Sequence, residues 1–264
     1  MWIRDTTDHP AGSIKARRRT AWLASSLLFG LVVVGWPTAG KMVATADEAT
    51  TVPHAVSPAK ALQRLKEGNQ RFVAGKPLHQ RQNAARRAEL VSGQQPFAAI
   101  LGCSDSRVPP ELVFDQSLGD LFVIRLAGNL IAPGVGGSIQ YAYQHLGTSL
   151  LVVLGHQGCG AVKAALAAKF RRAKHPERIR QLVKLIEPGL EQIDPTLSAS
   201  EQLEAGVEAN VHWSMHQVMR AREVRQAFRK KGAVLIVGAV YELATGKVRW
   251  LERYSNSVGG MASL

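Results

Sequence analysis

A chain of 264 residues, 46% hydrophobic and 20% charged, carries enough apolar side chain for one well-buried domain plus extensions. Its two cysteines are too few for a disulfide scaffold, although an oxidising location would permit a single Cys103 to Cys159 bridge. The net charge of +13 raises nucleic acid or an anionic membrane as partners, but the first 46 residues hold six Lys/Arg against two Asp, leaving 27 basic and 18 acidic residues, or +9, for the rest. Basic residues of that remainder gather between Arg171 and Lys184 with no interleaved Phe, Tyr or Trp, the pattern of a solvated helix face and not of a nucleic-acid interface.

In chain order, Arg17, Arg18 and Arg19 precede an apolar run from Ala21 to Trp36, and Ala44-Thr45-Ala46 has the small-x-small spacing of a signal-peptidase site. These parts predict an export signal over residues 1–46, cleaved after Ala46, and a periplasmic or extracellular location. The arginine run partly matches a twin-arginine signal, and Sec export stays open. The alternative is an uncleaved membrane anchor over residues 21–36, which falls short of the roughly 20 residues a span needs. Residues 47–56 read as a linker to a domain over 57–264.

Ser57-Pro58 starts a helix with an N-cap and a proline at N1, and Leu62, Leu65, Asn69 and Phe72 share one of its faces. That face is expected to pack outside the core sheet. Gln80 to Ser92 reads as a polar second helix ended by Gly93. Phe97 to Leu101 is an uncharged apolar run, the mark of a buried parallel strand, and Gly102 leads from it into Cys103-Ser104-Asp105-Ser106-Arg107. After a turn at Val108-Pro109-Pro110, a strand is expected at Leu121 to Leu126. Gly134 to Gly137 lacks the third glycine of a dinucleotide loop and reads as a tight turn into a helix over Ser138 to Leu146. Leu150 to Leu154 repeats the pattern of the first strand, with Gly155 leading into His156-Gln157-Gly158-Cys159. A helix over Ala161 to Phe170 follows, and then a long one from about Ser200 to Lys230. His212 and His216 on that helix lack the adjacent glutamate of a zincin pair. Strands at Ala233 to Tyr241 and Lys247 to Leu251 pair antiparallel through Ala244-Thr245-Gly246.

The chemistry-bearing stretches thus sit at the C-terminal ends of two parallel strands, where open α/β sheets form their ligand crevice. Two thiolates and one imidazole supply three of the four ligands of a tetrahedral zinc, a set that catalytic sites use with the fourth position open. His156 and Cys159 stand on either side of a glycine turn, so both side chains can face one ion, and Cys103 closes the set from the neighbouring strand.

Cys-x-Asp-x-Arg followed by His-x-x-Cys-Gly, over roughly Ser57 to Val258, resembles the β-class carbonic anhydrases. The resemblance implies zinc ligands at Cys103, His156 and Cys159, one zinc ion per chain, and a catalytic Asp105 with Arg107 paired to it. It further implies that Gln94 enters a partner's active site, that Phe122 and Tyr141 line a narrow apolar pocket, and that the first helix reaches a second subunit of a homodimer or higher even oligomer. The implied fold is a mostly parallel α/β sheet, four parallel strands plus an antiparallel edge strand, flanked by helices. The implied reaction is reversible hydration of carbon dioxide to bicarbonate through a zinc-bound hydroxide. Members that close the site at low pH carry a tryptophan three residues before the first cysteine. Ile100 stands there in this chain, so the open form is expected. Hydrolysis of carbonyl sulfide or carbon disulfide on the same scaffold is one alternative, and a non-catalytic zinc or bicarbonate module is another.

Overall fold

Uncharged strands buried on both faces need helices above and below, and the parallel pairing requires each connection to cross over the sheet. The computed structural model describes residues 56–79, 81–228, 234–255 and 258–263. The expected export signal and all but the last residue of the linker lie outside them. Among the described residues, no helix is long and apolar enough to cross a membrane.

The sheet has six strands in the order β2-β1-β3-β4-β5-β6: β1 Ala98–Gly102, β2 Leu121–Arg125, β3 Leu150–His156, β4 Leu235–Tyr241, β5 Val248–Ser255 and β6 Val258–Ser263. The first four are parallel to one another, and β4-β5 and β5-β6 are antiparallel. The expected four parallel strands and antiparallel β5 are therefore present. The additional β6 covers the outer side of β5; its Val-Gly-Gly-Met-Ala-Ser sequence has neither an apolar run nor an alternation that marks a strand.

The chain runs from β1 to β2 on one side and later enters β3 on the other side of β1, so strand order reverses between β1 and β3. Open α/β sheets place their binding crevice at the C-terminal ends flanking such a reversal. One face of the sheet, including Ala99, Leu101, Leu151 and Val153, packs under helices α4 (Pro133–Gln144), α5 (Gly160–Arg171), α6 (Glu177–Ile186) and α7 (Ala199–Arg220). The other face, including Ile100, Leu150, Val152 and Val237, packs under α1 (Pro58–Val73) and α3 (Pro110–Val113). Between these last two come α2 (Ala84–Glu89) and a 3-10 turn over Leu90–Ser92.

Three expectations are corrected. The face of α1 bearing Leu62 and Leu65 does not look outward; both side chains are buried in one cluster with Phe97, Ile100 and the rest of this chain's own sheet, which on that side has otherwise only the short α3. Helix α4 starts at Pro133, not after the glycines, because Pro133 supplies a first-turn residue with a preset φ and Gly134, Gly136 and Gly137 then propagate the helix. The long C-terminal helix stops at Arg220. Ala221 is extended (φ −61°, ψ 132°), and α8 (Arg222–Phe228) resumes at an angle that seats Val224 on the core.

Asn69 lies on the buried face of α1 among apolar neighbours and joins three elements. Its Nδ2 donates to the Val113 carbonyl (3.1 Å) and the Gly246 carbonyl (2.8 Å), and its Oδ1 accepts from the Val248 amide (2.9 Å). Leaving buried backbone groups unpaired costs about 1 to 3 kcal/mol each. Asn69→Ala is expected to lose about 2 to 4 kcal/mol in urea unfolding, and a loss below about 1 kcal/mol would show that the staple contributes little.

Candidate metal centre

Cys103 follows β1 directly, His156 ends β3, and Cys159 is the residue before the first turn of α5. Because β1 and β3 are neighbours, with Gly102 paired to Leu154, the three side chains converge. One ligand atom from each lies within 4.8 Å of the others, and all three residues are buried. Both cysteines are free thiols, so the disulfide alternative fails. Among the described residues this is the one group of three or more metal-ligating side chains so placed; His212 and His216 join none, and His216 instead stacks with Trp213.

The donor chemistry fits a divalent cation. His156 Nδ1 lies 2.9 Å from the Gln157 carbonyl, which only accepts, so Nδ1 carries the hydrogen and Nε2 presents a lone pair. That Nε2 is buried with no hydrogen-bond partner among the described residues. The two sulfur atoms shift one another in opposite directions: the Cys159 thiol beside Cys103 draws it down against burial, and hydrogen bonding to Cys103, together with burial, pushes Cys159 up. Burial pushes the His156 imidazole down, but the negative Cys103 sulfur beside it outweighs that and the net shift is upward. One divalent cation would take the place of the thiol protons and satisfy all three atoms.

Asp105 sits at the rim with its side chain 18% exposed and Oδ2 3.8 Å from His156 Nε2. Arg107 grips it through a two-pronged pair, Nε to Oδ1 at 2.9 Å and Nη2 to Oδ2 at 2.7 Å, and the Arg107 amide adds a bond to Oδ1 at 3.0 Å. The Arg107 guanidinium holds the Asp105 carboxyl well below the usual carboxylate range.

Two positions were not singled out from sequence. Arg125, at the end of β2, donates from Nε to the Cys103 carbonyl (2.9 Å) and from Nη2 to the Asp105 carbonyl (2.6 Å), pinning the backbone on both sides of Ser104. The Gly128 amide donates to Cys103 Sγ at 3.2 Å. A lone arginine closing an otherwise apolar strand was the available signal for the first; the second is a backbone group and leaves none.

Phe122 and Tyr141 are brought together, with ring centroids 6.1 Å apart, and Phe122 packs on the buried cluster that contains both cysteines. Gln94 is not brought to the metal group of its own chain. It is exposed and lines a polar cavity of about 540 Å³ with Arg64, Arg86, Glu89 and Phe97.

A model of the carbonic anhydrase family matches residues 98–248. The chain is 43% identical over 194 residues to a carbonic anhydrase of Mycolicibacterium smegmatis, covering 73% of this chain and 92% of that protein. It is 42% identical to carbonic anhydrase 2 of Mycobacterium tuberculosis, covering 72% and 91%. The crystal structure of the β-carbonic anhydrase CafA of Aspergillus fumigatus superposes with a TM-score of 0.58 at 27% identity, covering 73% of this chain and 89% of that one.

A depressed carboxylate loses its stabilising ion pair as pH falls through its folded pKa, and removing the cation raises that pKa towards the unperturbed value of about 3.9. In Arg107→Ala the Asp105 carboxyl, followed by its 13C shift, is therefore expected to titrate at higher pH than in the parent protein. An unmoved midpoint would contradict the assigned cause.

Proposed function

The chain belongs to the β-class carbonic anhydrases, and from that membership we propose that it hydrates carbon dioxide reversibly, using a zinc ion held by Cys103, His156 and Cys159. The observation that carries this reading is the meeting of three buried soft and borderline donors with a carboxylate that an arginine keeps ionised. A zinc ion with these ligands supplies Lewis acidity that makes water a nucleophile near neutral pH.

The protein's own groups direct that nucleophile. Ionised Asp105 is purely an acceptor, so its oxygen takes the hydrogen bond of the reacting water and turns an oxygen lone pair towards the substrate carbon. Arg107 fixes the carboxylate in that orientation with a fork that lysine lacks. Phe122 and Tyr141 offer an apolar wall suited to an uncharged linear molecule. A carbon–oxygen bond forms, one carbon–oxygen double bond of carbon dioxide opens, and the proton released leaves for solvent, giving bicarbonate.

We further propose that the working unit is a dimer or higher even oligomer in which Gln94 of one chain hydrogen-bonds substrate at the metal group of the other. Its exposure, and its placement in a cavity that none of Cys103, Asp105, His156 and Cys159 lines, support this reading. The burial of Leu62 and Leu65 within their own chain removes the first helix as an argument for it.

Stopped-flow measurement on zinc-loaded protein is expected to show carbon dioxide hydration with about one zinc per chain, and Cys159→Ser to lose both, since a hydroxyl is a poor replacement for thiolate. Zinc retained at full stoichiometry in that variant would remove the proposed ligand set. Gln94→Ala is expected to slow hydration roughly 5- to 150-fold at unchanged zinc content, equivalent to about 1 to 3 kcal/mol for one lost site hydrogen bond. Subunit exchange between Gln94→Ala and Cys159→Ser chains should then restore activity, because one site of each mixed dimer carries neither defect. Confirmed exchange without any gain would place Gln94 in its own chain's site and end the shared-site proposal.

A further inference from the structure

Helix α7 lies unusually close to the sheet. A Cβ on Gly155, just before His156, would stand 2.6 Å from Val211 Cγ2, and one on Gly238 of β4 would stand 2.6 Å from Met215 Sδ. Bare backbone at those two positions lets α7 settle into the sheet, and Asn210 and Ser214 then reach the loop beyond β2. Both are fully buried. Asn210 Nδ2 donates to the Gly128 carbonyl at 2.8 Å, and Ser214 Oγ donates to the Asn129 carbonyl at 3.0 Å.

Those carbonyls belong to two consecutive residues with left-handed backbone, Gly128 at φ +77° and Asn129 at φ +45°. Such a pair is held by its surroundings and not by intrinsic preference. Its amide is the one that points at Cys103 Sγ, 3.2 Å away. A continuous chain of contacts therefore runs from α7 through the backbone of one residue, Gly128, whose carbonyl accepts from Asn210 and whose N–H donates to the metal-ligating sulfur. Asn210 Oδ1 has no hydrogen-bond partner among the described residues, so the side-chain amide is buried with only its donation to Gly128 made. For packing alone, an apolar side chain of that size would cost less.

We propose that Asn210 and Ser214 are positioning residues for the Cys103 donor. By holding the Gly128–Asn129 turn, they keep an N–H aimed at the sulfur, which withdraws charge from that ligand and fixes where it sits. This inference rests on the zinc reading above. Outer partners of metal ligands typically alter metal affinity 10- to 100-fold.

The test uses cobalt(II) in place of zinc, together with zinc affinity measured by chelator competition, on the full chain. In Asn210→Leu and Ser214→Ala, the thiolate-to-cobalt charge-transfer band is expected to move to longer wavelength, as the sulfur loses its N–H donor, and zinc Kd to rise about tenfold. Asn69→Ala serves as the control. It also deletes a buried amide, but on the opposite face of the sheet and with no bond to the Gly128–Asn129 turn, so it should lower stability while leaving band and Kd unchanged. If Asn210→Leu does not fold, Ser214→Ala, which deletes a single oxygen, decides alone. Band and Kd that match the parent in the 210 and 214 variants would overturn the inference, as would equal shifts in the Asn69 control. A parent protein that takes up neither zinc nor cobalt would overturn the metal reading itself.

Discussion

Two sulfur atoms and an imidazole nitrogen buried within 4.8 Å of one another cannot all carry their preferred charge unless positive potential reaches them from the surroundings. The conflict shows in the opposed shifts of the two thiols, Cys103 driven down and Cys159 driven up. Backbone supplies part of the compensation. The Gly128 amide points at Cys103, and Cys159 precedes the first turn of α5, where the amides of Val162 and Ala161 favour a thiolate against the burial that opposes it. Strand ends, a left-handed turn and a helix start are thereby tied to a single point.

The two faces of the sheet serve that point differently. Helix α1 and the short α3 close one face, and Asn69 fastens α1 to Val113, Gly246 and Val248. The other face carries α4 to α7, and it is here that glycine matters by absence of bulk. Gly155 and Gly238 bring α7 onto the strands, which places Asn210 and Ser214 inside a surface otherwise made of Val207, Val211 and Met215. A polar pair in that setting is costly unless its bonds are made, and those bonds lead to the turn that faces Cys103.

At the rim, two arginines divide the handling of one loop. Arg107 binds the Asp105 carboxylate, and Arg125 binds the carbonyls of Cys103 and Asp105. The first sets the ionisation and direction of the carboxylate; the second immobilises the backbone from which both the thiolate and the carboxylate project. Gln94 stands outside this arrangement, on the polar cavity formed by Arg64, Arg86 and their neighbours.

The buried strands, the metal donors and the Asp105–Arg107 pair were legible in sequence, because each is encoded locally. An uncharged apolar run followed by glycine marks a parallel strand end, and ligands spaced across a tight turn face the same way whatever surrounds them. Helix limits were less legible: Ala221 carries no breaking signal, and Pro133 begins a helix that the glycines after it seem to forbid on propensity alone. What only the tertiary structure decided depends on contacts between residues far apart in the chain. Leu62 and Leu65 cover their own sheet because the four-residue α3 leaves most of that face open, and the Gly128 N–H becomes a hydrogen-bond donor to sulfur because Asn210, 82 residues later, holds the Gly128 carbonyl in place. A sequence pattern records which side chains are apolar or charged, whereas the partner of a backbone amide is set by how closely two elements approach.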